Sequence, residues 1–185
     1  MDQAKTIIFI VIAAAIIIEL FFVFGGNLPL FLYEQADYMV TDAAKDRLTQ
    51  TLSSGDRRVG IAPPETNVWK PGETGIYLLG IRNRYSEDKQ FYSNIYLEGL
   101  EGDLKGKLIS NYQDNVASWM SYSKSISLGS QDSEIVSIII KTGQDAEPGI
   151  YIMRTVVCEE ENCNTLSDSG RIYSSVMFTL IIREG

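Results

Sequence analysis

"SEIVSIIIKTGQDAEPGIYIMRTVVC", residues 133–158, is the stretch on which the fold turns. Its two halves are short runs of Ile, Val and Tyr, bounded by Gly, Asp, Glu and Pro. Runs of this length and composition predict strands rather than helices. Between them, Pro148-Gly149 is a turn that opens a strand centred on Tyr151. Proline presets φ for the turn and glycine takes the conformation that other residues avoid.

The same device recurs in "WKPGETGIY", residues 69–77, where Lys70-Pro71-Gly72-Glu73 is predicted as a turn ahead of a strand. Outward from these two points the pattern is repeated. Strands are predicted in "RRVGIA" (57–62), "TGIYLLGIRN" (74–83), "QFYSNIYLEG" (90–99), "GKLISNY" (106–112), "SYSKSISL" (121–128) and "RIYSSVMFTLIIRE" (171–184), besides the two in the opening stretch. No convincing helix separates them. A parallel α/β sheet needs crossover helices, so the region from residue 56 onward is expected to be an antiparallel β-sandwich.

The first 55 residues read differently. From Thr6 to Phe24 every residue is apolar except Thr6 and Glu19. At helical rise the run spans about 28 Å, close to the hydrocarbon thickness of a bilayer. Lys5 precedes it, and Glu34, Asp37 and Asp42 come before the next basic residue, Lys45. The positive-inside rule places the N-terminus in the cytoplasm and the remainder outside. An uncleaved anchor is the preferred reading; a signal peptide cut near Gly25 or Gly26 is the competing one. After Pro29 a helical period resumes through Leu32, Ala36, Met39 or Val40, Ala43 and Leu48, with Gly55 as a stop. Two uses fit this amphipathic helix: packing on the domain that follows, or a stalk that packs on neighbouring subunits. The expected organisation is therefore a transmembrane anchor (1–26), an amphipathic helical stalk (27–55) and a β-sandwich (56–185). The whole is a mainly β protein with an N-terminal transmembrane and stalk α-helix.

Composition narrows the function. The chain has 185 residues, a net charge of −8 and no histidine. An acidic surface repels phosphate backbones, and no basic stripe with interleaved aromatics is present, so nucleic acid is not an expected partner. The absence of histidine removes His-based triads, bases and metal sites. Cys158 and Cys163, in "CEEENC", have too few companions for a four-ligand zinc site. They read either as a small disulfide loop in an oxidising compartment or as two separate thiols, with the membrane segment favouring the disulfide.

No catalytic set stands out. Asp132/Glu134 and Asp145/Glu147 lie in predicted loops and offer oxygen ligands for Ca²⁺, but loop acids are more often simply solvated. "GLEGDLKG" (99–106) lacks the ending of a phosphate loop. The Glu159-Glu160-Glu161 run reads as a solvated hairpin tip before it reads as a contact for a basic partner. Trp69 and Trp119 read as core residues before sugar-stacking platforms. An enzyme, a cofactor, a bound metal and a small-molecule substrate are not expected. Glu19 has two accounts: it lies close enough to the outer boundary to reach the headgroups, or it faces another protein and serves as an assembly contact.

The turn at Pro71-Gly72, "IYLLGIRN", and "ISLGSQDSEIVSIIIKTGQDAEPGIYIMRTVV" together resemble the Ig-like accessory domains of archaeal and bacterial surface proteins. These include the CARDB-like group and the fibronectin-like domains that accompany glycosidase modules. Asn83, Ala146, Pro148, Gly149 and Tyr151 carry the match, which runs from about Val59 to Ile182. The resemblance implies an Ig-like sandwich and no shared catalytic residues. The layout, with "IIIELFF" and "LPLFLYEQ" ahead of such a domain, also resembles the archaeal pilin and archaellin superfamily with its archaellum-stator relatives. It departs from the pilin pattern in having Lys5 as the sole base upstream of the run. Together these readings imply a single-pass, cell-surface domain acting by protein–protein contact in the envelope. Its partners would be membrane lipid and envelope or filament proteins, with self-association included. The alternative is a pilin-like filament subunit assembled through its N-terminal helix.

Overall fold

The computed structural model describes residues 42–54, 57–64, 67–161 and 172–184. The apolar run with Glu19, the stalk residues up to Thr41, and Cys163 lie outside them. Among the described residues no helix is long and apolar enough to cross a membrane. They belong to one compact unit that begins at Met39.

The unit opens with a helix, α1 (Asp42–Ser54). Nine strands follow: β1 (Val59–Ala62), β2 (Val68–Trp69), β3 (Thr74–Arg82), β4 (Lys89–Glu101), β5 (Met120–Tyr122), β6 (Ser125–Leu128), β7 (Ser133–Lys141), β8 (Gly149–Cys158) and β9 (Ile172–Ile182). They form two sheets, ordered β1-β3-β7-β5 and β2-β9-β8-β4-β6. Pairing is antiparallel throughout except between β2 and β9. The order β1-β3-β7-β5 facing β9-β8-β4 is the A-B-E-D and G-F-C arrangement of Ig-like sandwiches. The expected Ig-like β-sandwich is therefore present.

Each lateral side of the sandwich is closed in the same way. β1 lies on the first sheet, and β2, a few residues on, lies on the second. β5 and β6 repeat this crossing, with Ser123 and Lys124 between them. A segment that changes sheets shortens each edge strand, which limits pairing with other chains.

The inner faces meet in a core built around Tyr77, Leu79, Ile81, Phe91, Ile138, Ile140, Tyr151, Met153 and Leu180. Tyr77 packs on Phe178 with ring centroids 4.6 Å apart, and Phe91 on Tyr173 at the same distance. Both contacts are tilted, as aromatic quadrupoles prefer. Tyr77 and Tyr173 satisfy their hydroxyls by donating to the carbonyls of Thr179 and Arg82, each at 2.6 Å. Burial pushes the Tyr77 hydroxyl well above its usual range.

The first Pro-Gly corner is a turn as its sequence predicts; at the second the turn closes earlier, at Gly143–Ala146, where the Ala146 N–H donates to the Gly143 carbonyl at 3.2 Å, and Gly149 already opens β8. At Lys70–Glu73 the Glu73 N–H donates to the Lys70 carbonyl at 3.1 Å, and Gly72 has φ +83°. At the second corner, Tyr151 at the start of β8 donates its hydroxyl back to the Glu147 carbonyl at 2.9 Å. That is the tyrosine corner of Ig-like domains. Asn83, fully buried, is a third fastening. Its amide donates to the carbonyls of Glu87 and Gly129 at 2.8 and 2.9 Å, and its Oδ1 accepts the Tyr85 N–H.

Helix α1 resolves one open question. Leu48 and Leu52 are buried against Leu78 on the outer face of the first sheet. Arg82 donates from Nη1 to the Leu52 carbonyl at 2.7 Å, meeting an unsatisfied group at the helix C-terminus. Residues 42–54, read above as part of a stalk, thus pack on the sandwich. This is why β3 is buried on both faces rather than alternating.

The sequence reading also needs correction at four points. "SYSKSISL" (121–128), expected as one strand, is divided between β5 and β6 on opposite sheets. "GKLISNY" is not a strand: Ile109–Asn111 form a 3₁₀ turn, and Gly106 takes φ +87°. A short helix, α2 (Gln113–Ser118), follows it. β2 was not expected at all.

Candidate functional site

Between β4 and β5 the chain leaves the sheets for an excursion over residues 102–119. Leu104 and Val116 bury themselves and pin it down. Trp119 ends it, packing edge-on against Tyr151 at 5.4 Å between ring centroids. The Lys141 N–H donates to the Trp119 carbonyl at 2.8 Å, which ties the indole to the end of β7. Opposite the excursion stands the corner between β7 and β8, with Gly143, Asp145, Ala146 and Glu147.

The two segments enclose a half-open cleft of about 600 Å³. Leu108, Asn111, Tyr112, Asn115, Trp119 and Asp145 line it, with the Lys107–Glu147 ion pair at its rim. Tyr112 donates its hydroxyl to Glu147 Oε1 at 3.0 Å. The hydrogen bond from Lys107, and then that from Tyr112, holds the Glu147 carboxyl below the usual carboxylate range. The same ion pair raises the Lys107 ammonium. Burial, followed by the Glu147 carboxylate, pushes the Tyr151 hydroxyl up to about 12. Tyr151 is therefore a hydrogen-bond donor at neutral pH, not a base.

The Trp119 indole N–H is, with the Tyr96 and Thr155 hydroxyls, one of three buried side-chain groups without a hydrogen-bond partner among the described residues. The residue is 5 % exposed. Buried donors without partners are rare in folded proteins.

The residues singled out by sequence are scattered. Glu19 and Cys163 lie outside the described residues. Cys158 ends β8, buried in a small cluster with Val156, Tyr96 and Ile172. Asp132 and Glu134 are exposed, and Asp145 and Glu147 stand at the cleft. Among the described residues no three His, Cys, Asp or Glu side chains converge on a metal site. Glu159 accepts a hydrogen bond from the Tyr85 hydroxyl. Trp69 is core, lying against Gly75. Trp119 is core as well, but it also lines the cleft, which the sequence reading missed. The Asn- and Asp-rich run "SNYQDN" (110–115) was the available signal, hidden by the strand reading of residues 106–112.

No family model and no curated protein matches the chain. Several solved structures resemble it distantly. A FixG-related protein from Vibrio parahaemolyticus is 8 % identical, with 69 % of this chain and 98 % of that one covered and a TM-score of 0.43. The CARDB domain of a Pyrococcus furiosus protein, crystallised with di-metal ions, is 16 % identical, with 67 % and 89 % covered and a TM-score of 0.39. PapD-like domain 7 of human CEP192 is 16 % identical, with 69 % and 85 % covered and a TM-score of 0.35.

Proposed function

We propose that the chain is a single-pass, membrane-anchored, extracytoplasmic Ig-like domain that acts by protein–protein contact in the cell envelope and is not an enzyme. The observation that carries this reading is an Ig-like sandwich with a filled core that leaves large apolar side chains on its surface. Leu108 is 68 % exposed and Met177 54 % exposed. They stand on separate elements, the excursion before α2 and strand β9. The apolar run from Thr6 to Phe24, with Lys5 before it, supports the anchor and its orientation. A pilin-like filament subunit is the second reading, favoured by Glu19 within that run, since an intramembrane carboxylate is a functional candidate by default.

Photo-crosslinking in native membranes tests both, with the reactive group placed at Leu108 or Met177. A discrete heavier product supports a defined envelope complex. A regular ladder that weakens in Glu19→Leu, and is partly kept in Glu19→Gln, supports the filament. Monomer alone at both positions rejects contact by these surfaces.

A further inference from the structure

Strand β9 has one margin that the sandwich leaves open. On one side it pairs with β8 from Ile172 to Ile182, and on the other it pairs with β2 at Ile181 and Ile182 alone. The N–H groups of Ile181 and Arg183 point to the β2 side. Every second residue of an antiparallel strand points the same way, so the N–H and C=O groups of Ser175, Met177 and Thr179 face that side too. Tyr77 donates to the Thr179 carbonyl at 2.6 Å. The three N–H groups, and the carbonyls of Ser175 and Met177, have no backbone partner among the described residues.

Strand margins are normally guarded by lysine, proline, a bulge or a very short strand. β9 reads "IYSSVMFTLII", with no charge and no proline, and its register shift lies at Val157/Cys158, beyond the open stretch. Met177 stands at the centre of that stretch, exposed, with Ser175 and Thr179 exposed on either side. The pattern is self-complementary. Turned about a twofold axis at Met177, a second β9 sets Met177 on Met177 and Ser175 on Thr179, a hydroxyl pair of the kind that stabilises cross-strand contacts. This register engages all three outward-facing residues of each copy, and β2 blocks a slide past Thr179. Two chains of net charge −8 repel each other, and an uncharged margin is where they approach at least cost.

We propose that two copies of this chain pair antiparallel along Ser175–Thr179 of β9, joining their second sheets into one. This rests on the reading of Met177 as a protein contact and gives that contact its partner. Both copies use the same edge, so the assembly closes at a dimer. A contact confined to residues 175–179 is smaller than a standard interface of about 800 Å² per partner, so the dimer is weak and depends on concentration.

The test uses the full chain, sized by sedimentation in detergent over a concentration series and crosslinked through cysteines in native membranes. Opposed residues of a hydrogen-bonded antiparallel pair have Cα atoms about 5.5 Å apart, within disulfide reach. Met177→Cys should therefore give a homodimer on mild oxidation. Ser175→Cys alone should not, because the two copies of that position lie about 13 Å apart along the strands. Ser175→Cys combined with Thr179→Cys should restore the product. The unsubstituted chain is the control for Cys158 and Cys163. Met177→Pro removes an N–H that gives no bond to β8 and should weaken association by about tenfold. Met177→Lys sets like charges opposite each other and should weaken it as well, which keeps the test readable if a melting curve shows the proline variant unfolded. A folded variant of either kind that associates like the parent overturns the proposal. So does a chain that is monomeric at every concentration, or equal crosslinking of Ser175→Cys and Met177→Cys, the mark of random collision. A Met177→Cys product that holds a different protein overturns the self-pairing and leaves the reading of an envelope contact in place.

Discussion

Gly60 and Gly80 stand directly opposite each other across β1 and β3, and together they form the seat of helix α1. A Cβ on Gly60 would lie 2.8 Å from Leu48 Cδ1, and one on Gly80 would lie 2.6 Å from Leu52 Cδ1. Two bare backbones side by side let a helix approach the sheet closely enough to bury both leucines. The closeness is steric, so it can be tested by adding atoms as well as by removing them.

Leu52→Ala should lower the unfolding free energy by about 2–5 kcal/mol, the range for a large-to-small change in a packed core. Gly80→Val should destabilise as well, by pushing the helix away. Denaturant melts of each variant check both. A fragment starting at Met39 should melt cooperatively, and one starting at Arg57 should be less stable because Leu78 loses its cover. Equal melts for the two fragments would show that α1 is a passenger on the sheet.

Asn83 and Tyr151 fasten two corners, and they differ in what their loss leaves behind. Tyr151→Phe removes one hydroxyl bond to the Glu147 carbonyl and should lower stability by about 1 kcal/mol. Asn83→Ala strips donors from the carbonyls of Glu87 and Gly129 at a fully buried position. It should cost more, about 3 kcal/mol. Urea unfolding at neutral pH gives both values, and a reversed order would contradict the assigned roles.

Glu147 provides a pH signature. Its carboxyl is lowered on folding by Lys107 and then Tyr112. A group lowered in this way stabilises the fold above its unfolded value and loses that contribution as the pH falls through its folded value. The contacts at the rim should therefore persist at the ordinary glutamate midpoint, about pH 4.3, and break only below it. A carboxyl ¹³C titration should give a midpoint under that value, moved upward in Lys107→Met. A midpoint indifferent to that substitution would show that the ion pair does not set it.

The close pair of cysteines should be joined. Intact-mass measurement after alkylation without reductant should find no labelled thiol, and reduction should cost about 2 kcal/mol, modest because the loop is short. Two labelled thiols in freshly isolated protein would remove the bridge and much of the case for an extracytoplasmic domain.

The long strands were legible because each carries enough β-branched and aromatic residues to outweigh other signals, as "SEIVSIIIK" and "GIYIMRTVVC" do. The Pro71-Gly72 corner was legible because its chemistry is local; the turn expected at Pro148-Gly149 closes instead at Gly143–Ala146. What failed was either short or decided by contacts at a distance. β2 is two residues long and exists through its pairing with β9. The excursion over residues 102–119 is shaped by Leu104, Val116 and Trp119 reaching back to the core, so its local alternation misled. Trp119 was correctly read as buried, but burial of a ring does not reveal where its N–H ends up. The docking of α1 was present in the sequence only as an amphipathic pattern, which cannot say what covers it.

The short parallel pairing of β2 with β9 has a mechanical consequence. β2 lies near the start of the sandwich and β9 at its end, and the two strands run in the same direction. Drawing the chain ends apart pulls them in opposite directions along a shared axis. The bonds from the Ile181 N–H to the Asn67 carbonyl, 3.0 Å, and from the Arg183 N–H to the Trp69 carbonyl, 2.9 Å, cross that axis. They are loaded together in shear and cannot open one after the other like a zip. A tensile load along the chain therefore meets its resistance at these two bonds, at the seam between the first and last strands of the second sheet.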